Sequence, residues 1–439
     1  MSRPSSRLAR LPFFYGWVVV AVAFVTLAVA VNVRTAFSLL FPPILDEFGW
    51  DRGTTAAAFS VGFLASTAFT PLVGHLMDRW GPRIVIPLGA MLVSAGLLAA
   101  TAIETPVMLY LTLGLMVVGG SIAMSFIGHS MFLPSWFEKN RGLAIGLAFS
   151  GVGVGAMGFL PLLQTTIVEA GWRTACLVMA GAVFLLIPLN FALQRRRPAD
   201  LGLEPDGGGR NGKAPFAPAD RILDKAWAER EWTLGSAART ARFWWIFVGY
   251  FCGLFAWYAV QVHQTKFLVE AGFSAEVAAV ALGLVGLFGI FGQIGIGVFS
   301  DRVGREHAWA AALLGYAVCY AALLLIAVFP VYPLVLVMVA AQGLFGYGLA
   351  SLYGAIPADI FAGRRFASIF SVTTLGGNLG AGVGPWVTGI LYDTGGSYLP
   401  AFWLALVLSF VSIFCIYRAS PGKVRIVPGR LQKAGRVPA

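Results

Sequence analysis

Twelve apolar runs dominate this chain and leave little else to fold. They lie near residues 14–40, 55–75, 84–103, 107–133, 142–166, 173–193, 243–266, 277–299, 308–329, 332–357, 366–391 and 398–417. A bilayer-spanning helix needs about 20 predominantly apolar residues. Inside lipid, a backbone that is not a closed barrel must satisfy its own polar groups as helix. Only 12% of the 439 residues are charged, where a soluble domain carries about a quarter. The pattern predicts an all-α membrane protein with twelve transmembrane helices.

One stretch breaks the rhythm. Residues 194–242 open with Arg195, Arg196 and Arg197, turn Pro- and Gly-rich, and close on a polar segment from Asp220 to Trp232. This reads as a linker between an N-terminal six-helix bundle, 1–193, and a C-terminal one, 243–439, that ends in a basic tail. Arg3, Arg7 and Arg10 precede a first run too long for a signal-peptide core, which is read as an uncleaved first span. With the N-terminus inside, only Arg52, Arg173 and Lys266 of the 31 Lys and Arg fall outside, and Arg34 falls within a span. That asymmetry puts both termini in the cytoplasm of a cell whose inner membrane the chain crosses. Topology thus accounts for the net charge of +11, and no nucleic-acid partner is implied. Cys176, Cys252, Cys319 and Cys415 sit far apart in apolar runs, with neither metal spacing nor a disulfide framework.

The two halves repeat. Gly74-His-Leu-Met-Asp78-Arg79-Trp-Gly81 follows the second run, and Gly297-Val-Phe-Ser-Asp301-Arg302-Val-Gly304 follows the eighth, 223 residues later. Phe137-Glu-Lys-Asn-Arg141 enters the fifth run and Phe361-Ala-Gly-Arg-Arg365 the eleventh, 224 residues later. Glycine permits sharp turning and close helix approach. The Asp and Arg then stand at a helix end, where they can pair with charges or helix termini of neighbouring spans. At these residues the chain resembles the major facilitator superfamily, with the loop present in both halves and Pro82 in place of a usual basic residue. The resemblance implies two pseudo-symmetric six-helix bundles, a solute site between them and alternating access.

A narrower resemblance rests on Phe14-Tyr-Gly-Trp17, Phe48-Gly-Trp50-Asp-Arg52, Trp136-Phe-Glu-Lys-Asn-Arg141-Gly-Leu-Ala144, Arg242-Phe-Trp-Trp245 and Ala271-Gly-Phe-Ser274. These residues are similar to the monocarboxylate transporter and oxalate/formate antiporter branch. That branch implies small organic anions as cargo, moved with protons or by exchange. The chain departs from it in having no charged residue in 277–299 or 366–391.

Arg34 is the one charge deep in a predicted span. An intramembrane charge there costs at least about 2.5–3.5 kcal/mol and marks a functional site by default. Its planar fork suits a carboxylate. The alternative is a structural pair with Asp46 or Glu47, or a side chain that snorkels outward. His263, near the outer end of the seventh run, is a candidate proton carrier. His129 is expected to make a structural or gating hydrogen bond. Asn32, Tyr258, Gln342 and Asn378 fall near mid-span, where each is either helix–helix glue or a solute contact. Glycine stripes at 151–158, 283–295 and 376–384 predict tightly packed helix faces.

All 20 acids are placed in loops or at helix ends, which disfavours a relay of buried carboxylates. No phosphate-cradling loop, zinc motif or nucleophile constellation appears. The expected protein is a monomeric secondary transporter without cofactor or enzymatic activity. Its partners are the bilayer, a small solute and a proton or counter-anion. A carrier for neutral or amphipathic metabolites and a non-transporting sensor remain alternative readings.

Overall fold

The computed structural model describes residues 13–50, 52–207 and 221–433. Arg3, Arg7 and Arg10 lie outside the described residues, as does the middle of the linker. Among the described residues, eleven helices are long and apolar enough to cross a membrane. One of them, Arg141–Leu193, has 53 residues and would be about 80 Å long if straight. It is not continuous: Gly171 has φ 83° and ψ 162°. The chain turns there, so the eleven helices supply twelve crossing segments. Large apolar side chains face outward along them, as at Ile84, Leu88, Met91 and Leu92 on one helix, the surface expected of a protein solvated by lipid.

Contacts divide the chain into two compact units. The first holds Met1–Phe137 and Leu147–Gly212, and the second Glu138–Gly146 and Lys213–Ala439. The first turn of the fifth span therefore packs within the second unit, although the rest of that helix belongs to the first.

Unit one contains α1 (Gly16–Thr35), α2 (Phe37–Phe48), α3 (Arg52–Trp80), α4 (Pro82–Ala100), the broken span α5 (Pro106–Ser135) and α6 (Arg141–Leu193) from residue 147 onward. Unit two contains α7 (Ala241–Glu270), α8 (Ala275–Val303), α9 (Arg305–Ile326), the broken span α10 (Tyr332–Ile360), α11 (Phe366–Gly395) and α12 (Leu399–Ala419). α5 loosens into a π-helical stretch at Tyr110–Gly119, tightens at Gly120–Met124 and breaks at extended Ser125. α10 carries a π turn at Gln342–Gly346.

The glycine stripes pack helices in both units. A Cβ on Gly151 or Gly155 would lie 2.4 or 2.2 Å from the carbonyl oxygens of Phe24 and Ala28 on α1. A Cβ on Gly376, Gly380 or Gly384 would meet those of Phe247, Phe251 and Phe255 on α7 at 2.2, 2.1 and 2.6 Å. Backbone-to-backbone contact of this kind is open only to glycine. Polar side chains tie further helices of unit one together. Asn190 donates to Thr26 Oγ1 at 2.9 Å, Ser66 to Val118 O at 2.9 Å and Ser94 to Ala180 O at 3.1 Å.

Candidate functional sites

The repeated loops do the same local work in each unit. Gly81 has φ 75° and Gly304 φ 109°, a left-handed region that side chains disfavour. Each glycine ends one helix and starts the next within one residue, and Pro82 opens α4, where its missing N–H costs nothing. Beyond the turn the loops differ. In unit one, Asp78 binds Arg196 of the linker, with Oδ1 3.2 Å from Nη2, and its main-chain oxygen also accepts from Arg196. Arg79 lies against the Trp80 ring. In unit two, Asp301 accepts from the backbone N–H groups of Gly142 at 2.9 and 3.1 Å and of Leu143 at 3.1 Å. These are the orphan donors of the first turn of α6, a natural place for an anion. Asp301 also holds Arg305 Nη1 at 2.7 Å. The Arg302 backbone packs where a Cβ on Gly429 would fall, at 2.5 Å. Gly297 lies directly against Gly142, whereas Gly74 is a buried position on α3.

A charged network extends from Asp301. Asp359, at the end of α10, is 0% exposed and binds Arg141, with Arg305 Nε at 3.0 Å and Arg221 Nη2 at 4.0 Å. Its main-chain oxygen accepts from Arg425 Nη1 at 2.7 Å. Arg221 also donates to Glu138 O at 2.6 Å and Ile426 O at 3.0 Å. The linker and tail run antiparallel there, through an Ile222–Arg425 bridge and a Leu223 N–H bond to Val424 O at 3.0 Å. Burial is the main effect lowering the affinity of Arg221 and Arg425 for their protons, and Asp359 opposes it. Asp359 stands at a helix end, as expected of every acid, yet it is fully buried. Sequence reasoning missed it, together with Arg305, Arg221 and Arg425. The available signal was slight: one acid two residues before the repeated Phe361–Arg365 landmark.

Among the span candidates, Arg34 is half-buried on α1, with its guanidinium 4.1 Å above the Phe63 ring of α3. Glu47, one of the acids considered for Arg34, is held by Arg173 instead, at 2.6 and 2.7 Å, and accepts from Trp172 Nε1 at 2.8 Å. Asn32 is buried and donates to Ala28 O at 2.8 Å and Val152 O at 3.0 Å, a bridge between α1 and α6. His129 Nδ1 meets Ser125 O at 3.0 Å beside the break in α5.

In unit two, His263 Nε2 is 3.0 Å from Pro385 O on α11. A carbonyl only accepts, so Nε2 carries the proton and Nδ1 is the atom left to gain one. The Gln342 amide donates to Gln261 Oε1 at 2.7 Å, joining α10 to α7. Tyr258 and Asn378 are half-buried on α7 and α11. The structure therefore brings His263, Gln342, Tyr258 and Asn378 into one unit and Arg34 and Asn32 into the other.

The Glu47–Arg173 pair yields a modest prediction. The Arg173 hydrogen bonds, helped by Trp172, hold the Glu47 carboxyl below the ordinary carboxylate range. A depressed carboxyl stabilises the fold at pH values above its unfolded pKa of about 4.3. That contribution is lost as the pH falls through the lower folded value. The thermal-midpoint difference between the parent and Glu47→Gln should stay constant from pH 8 to 5 and shrink below pH 4. Because the pair is exposed, the difference should correspond to no more than about 1 kcal/mol.

Comparison with known proteins agrees with this architecture. A family model described as the Major Facilitator Superfamily matches residues 22–351 and 323–438. The chain belongs to the major facilitator superfamily: it is an integral membrane transporter with the two-bundle fold of that family. Monocarboxylate transporter 13 of Rattus norvegicus is 27% identical over 409 residues, spanning 89% of this chain and 86% of the relative. Monocarboxylate transporter 11 of Homo sapiens is 28% identical over 430 residues, spanning 90% and 81%. Among solved structures, the Escherichia coli fucose:proton symporter superposes with a TM-score of 0.68 at 16% identity, over 92% of this chain and 98% of that one. A proton:xylose symporter bound to a brominated glucose gives 0.67 at 14% identity, over 95% and 99%. At that identity the two symporters speak for the fold alone.

Proposed function

We propose that this transporter carries a small organic anion, a monocarboxylate in the first instance, and that Arg34 is its charge partner. The observation that carries the reading is a guanidinium inside a membrane span, stacked on Phe63. The ring engages the face of the guanidinium, while a carboxylate is taken along its edge by two parallel hydrogen bonds, so the two do not compete. Relatives named as monocarboxylate transporters support the same substrate class. In a low-dielectric setting the cation would favour anions over neutral solutes.

His263 is the proposed site of proton coupling, through Nδ1, with Nε2 held by Pro385. Tyr258, Gln342 and Asn378 are the proposed polar contacts of unit two. The domains run 1–193, 194–242 and 243–439, in a monomer of the inner membrane with both termini cytoplasmic. Exchange of one anion for another fits the same groups.

The test is counterflow in proteoliposomes loaded with carboxylates, amines or neutral metabolites. Exchange should be confined to carboxylates. Arg34→Gln should reduce it about ten- to a hundredfold, as expected for one lost charge-assisted interaction, and Arg34→Lys should restore part of it. Exchange of neutral solutes by the parent would remove the anion reading. Unchanged carboxylate exchange by Arg34→Gln would remove Arg34 from the site. Under an imposed proton gradient, His263→Asn should still exchange solute but no longer accumulate it. Undiminished accumulation would place the coupling group elsewhere.

A further inference from the structure

Near the start of α4 and the end of α6, unit one gathers cations that the transport reading does not use. Arg83 is exposed on the first turn of α4. Its Nε donates to Phe191 O at 2.8 Å, and its guanidinium lies 4.7 Å above the Phe191 ring. Arg195 follows at the end of α6, with Nη1 donating to Gln194 O at 2.6 Å. The Tyr15 hydroxyl donates to Leu193 O at 2.7 Å between them. Burial pushes the Tyr15 phenol up, against the pull of Arg195 and Arg83. Burial, and next Arg83, hold the Arg195 guanidinium below its usual range. Neither arginine has a carboxylate within salt-bridge distance among the described residues, whereas neighbouring Arg196 is held by Asp78. Around the two cations the surface is apolar and outward-facing: Trp80 is 44% exposed, Ile84 41% and Phe191 52%.

We infer that Arg83 and Arg195 hold the phosphate of an anionic phospholipid whose acyl chains lie along Ile84, Leu88 and Phe191. Both cations are held on main-chain oxygens at the same end of α6, Asp200 acts on Arg195 only from beyond ion-pair distance, and the surrounding lipid-facing surface supplies the complement for the chains of an anionic lipid. Basic pockets between helices at a membrane surface recognise anionic headgroups on these terms. The exposed Phe191 ring fixes the Arg83 plane and keeps its terminal nitrogens at headgroup level. The inference depends on the membrane fold and is independent of which solute is carried.

The experiment uses full-length protein in nanodiscs of phosphatidylcholine with a minor fraction of phosphatidylglycerol. Lipids retained after extraction are then counted by native mass spectrometry. The parent should retain phosphatidylglycerol preferentially, and the preference should fall as salt rises. Arg83→Gln with Arg195→Gln should lose it by about thirtyfold, from two interfacial charges. Arg83→Lys with Arg195→Lys should keep most of it, as should Arg418→Gln, an arginine elsewhere on the chain. Equal retention by the double Gln variant, or a parent preference indifferent to salt, overturns the proposal. Displacement of the lipid by millimolar inorganic phosphate also overturns it, in favour of a free-anion site. If the double Gln variant does not fold, the salt series on the parent still decides.

Discussion

Asp359→Asn is expected to lower the thermal midpoint of the detergent-purified protein by roughly 10 °C, the largest effect foreseen for any single side chain outside the solute site. The carboxylate is fully buried and shared by Arg141 and Arg305, with Arg221 at 4.0 Å. Buried ion pairs add little net stability, because desolvation offsets attraction. Removing one partner is different: it leaves the others buried and uncompensated, at about 3–5 kcal/mol. Here a single acid serves several cations, and Arg305 is itself only 1% exposed. Asp301 still holds Arg305 at 2.7 Å, but it is shared with the first turn of α6, and Glu138 stands 3.8 Å from Arg221. A double substitution provides the check. Asp359→Asn with Arg141→Gln should cost less than the sum of the two single changes, because the second removes a charge that the first has stranded. Strict additivity, or an Asp359→Asn protein as stable as the parent, would show that water reaches these arginines and that the network is incidental.

How much of this was legible in the sequence follows from what each feature depends on. The crossing segments were legible because lipid leaves the backbone few alternatives, and apolar length alone reports them. The repeat was legible because Gly81 and Gly304 impose the same turn on both halves. The glycine stripes at 151–158 and 376–384 foretold packing on the carbonyls of Phe24, Ala28, Phe247, Phe251 and Phe255, whereas in the 283–295 stripe Gly283, Gly286 and Gly295 meet nothing within 4 Å. Asp359 was not legible. Its partners come from positions 141, 221, 305 and 425, and no local pattern announces a pairing that the tertiary fold creates. Asn32 shows the same limit from the other side. A mid-span amide looks alike whether it meets solute or a neighbouring carbonyl, and only the fold reveals that Asn32 reaches Val152 O. Arg34 stood out because a charge within an apolar run is visible without any partner. What it binds is a property of its surroundings, which is why counterflow decides it.

The same reasoning predicts which glycines of α8 are required. A Cβ on Gly297 would lie 2.2 Å from Gly142 O, and one on Gly142 would lie 2.1 Å from Gly297 O. Both obstacles are backbone atoms, which cannot swing aside as a side-chain tip can. Gly297→Ala must therefore push α8 away from the first turn of α6 and stretch the Asp301 bonds to Gly142 and Leu143. Overpacking of this kind costs about 1–3 kcal/mol, and weakening the anion cap adds about 1 kcal/mol more. Gly295, two residues earlier on the same helix, has nothing within 4 Å of its would-be Cβ. In Gly295→Ala only intrinsic helix preference acts, and it favours alanine by about 1 kcal/mol. The two substitutions should thus move the thermal midpoint in opposite directions, with Gly297→Ala also slowing counterflow. If both raise the midpoint, the first glycine of the repeated loop serves flexibility rather than contact. If Gly297→Ala alone lowers it, that glycine is there because Asp301 reaches the α6 helix end only when the two backbones touch.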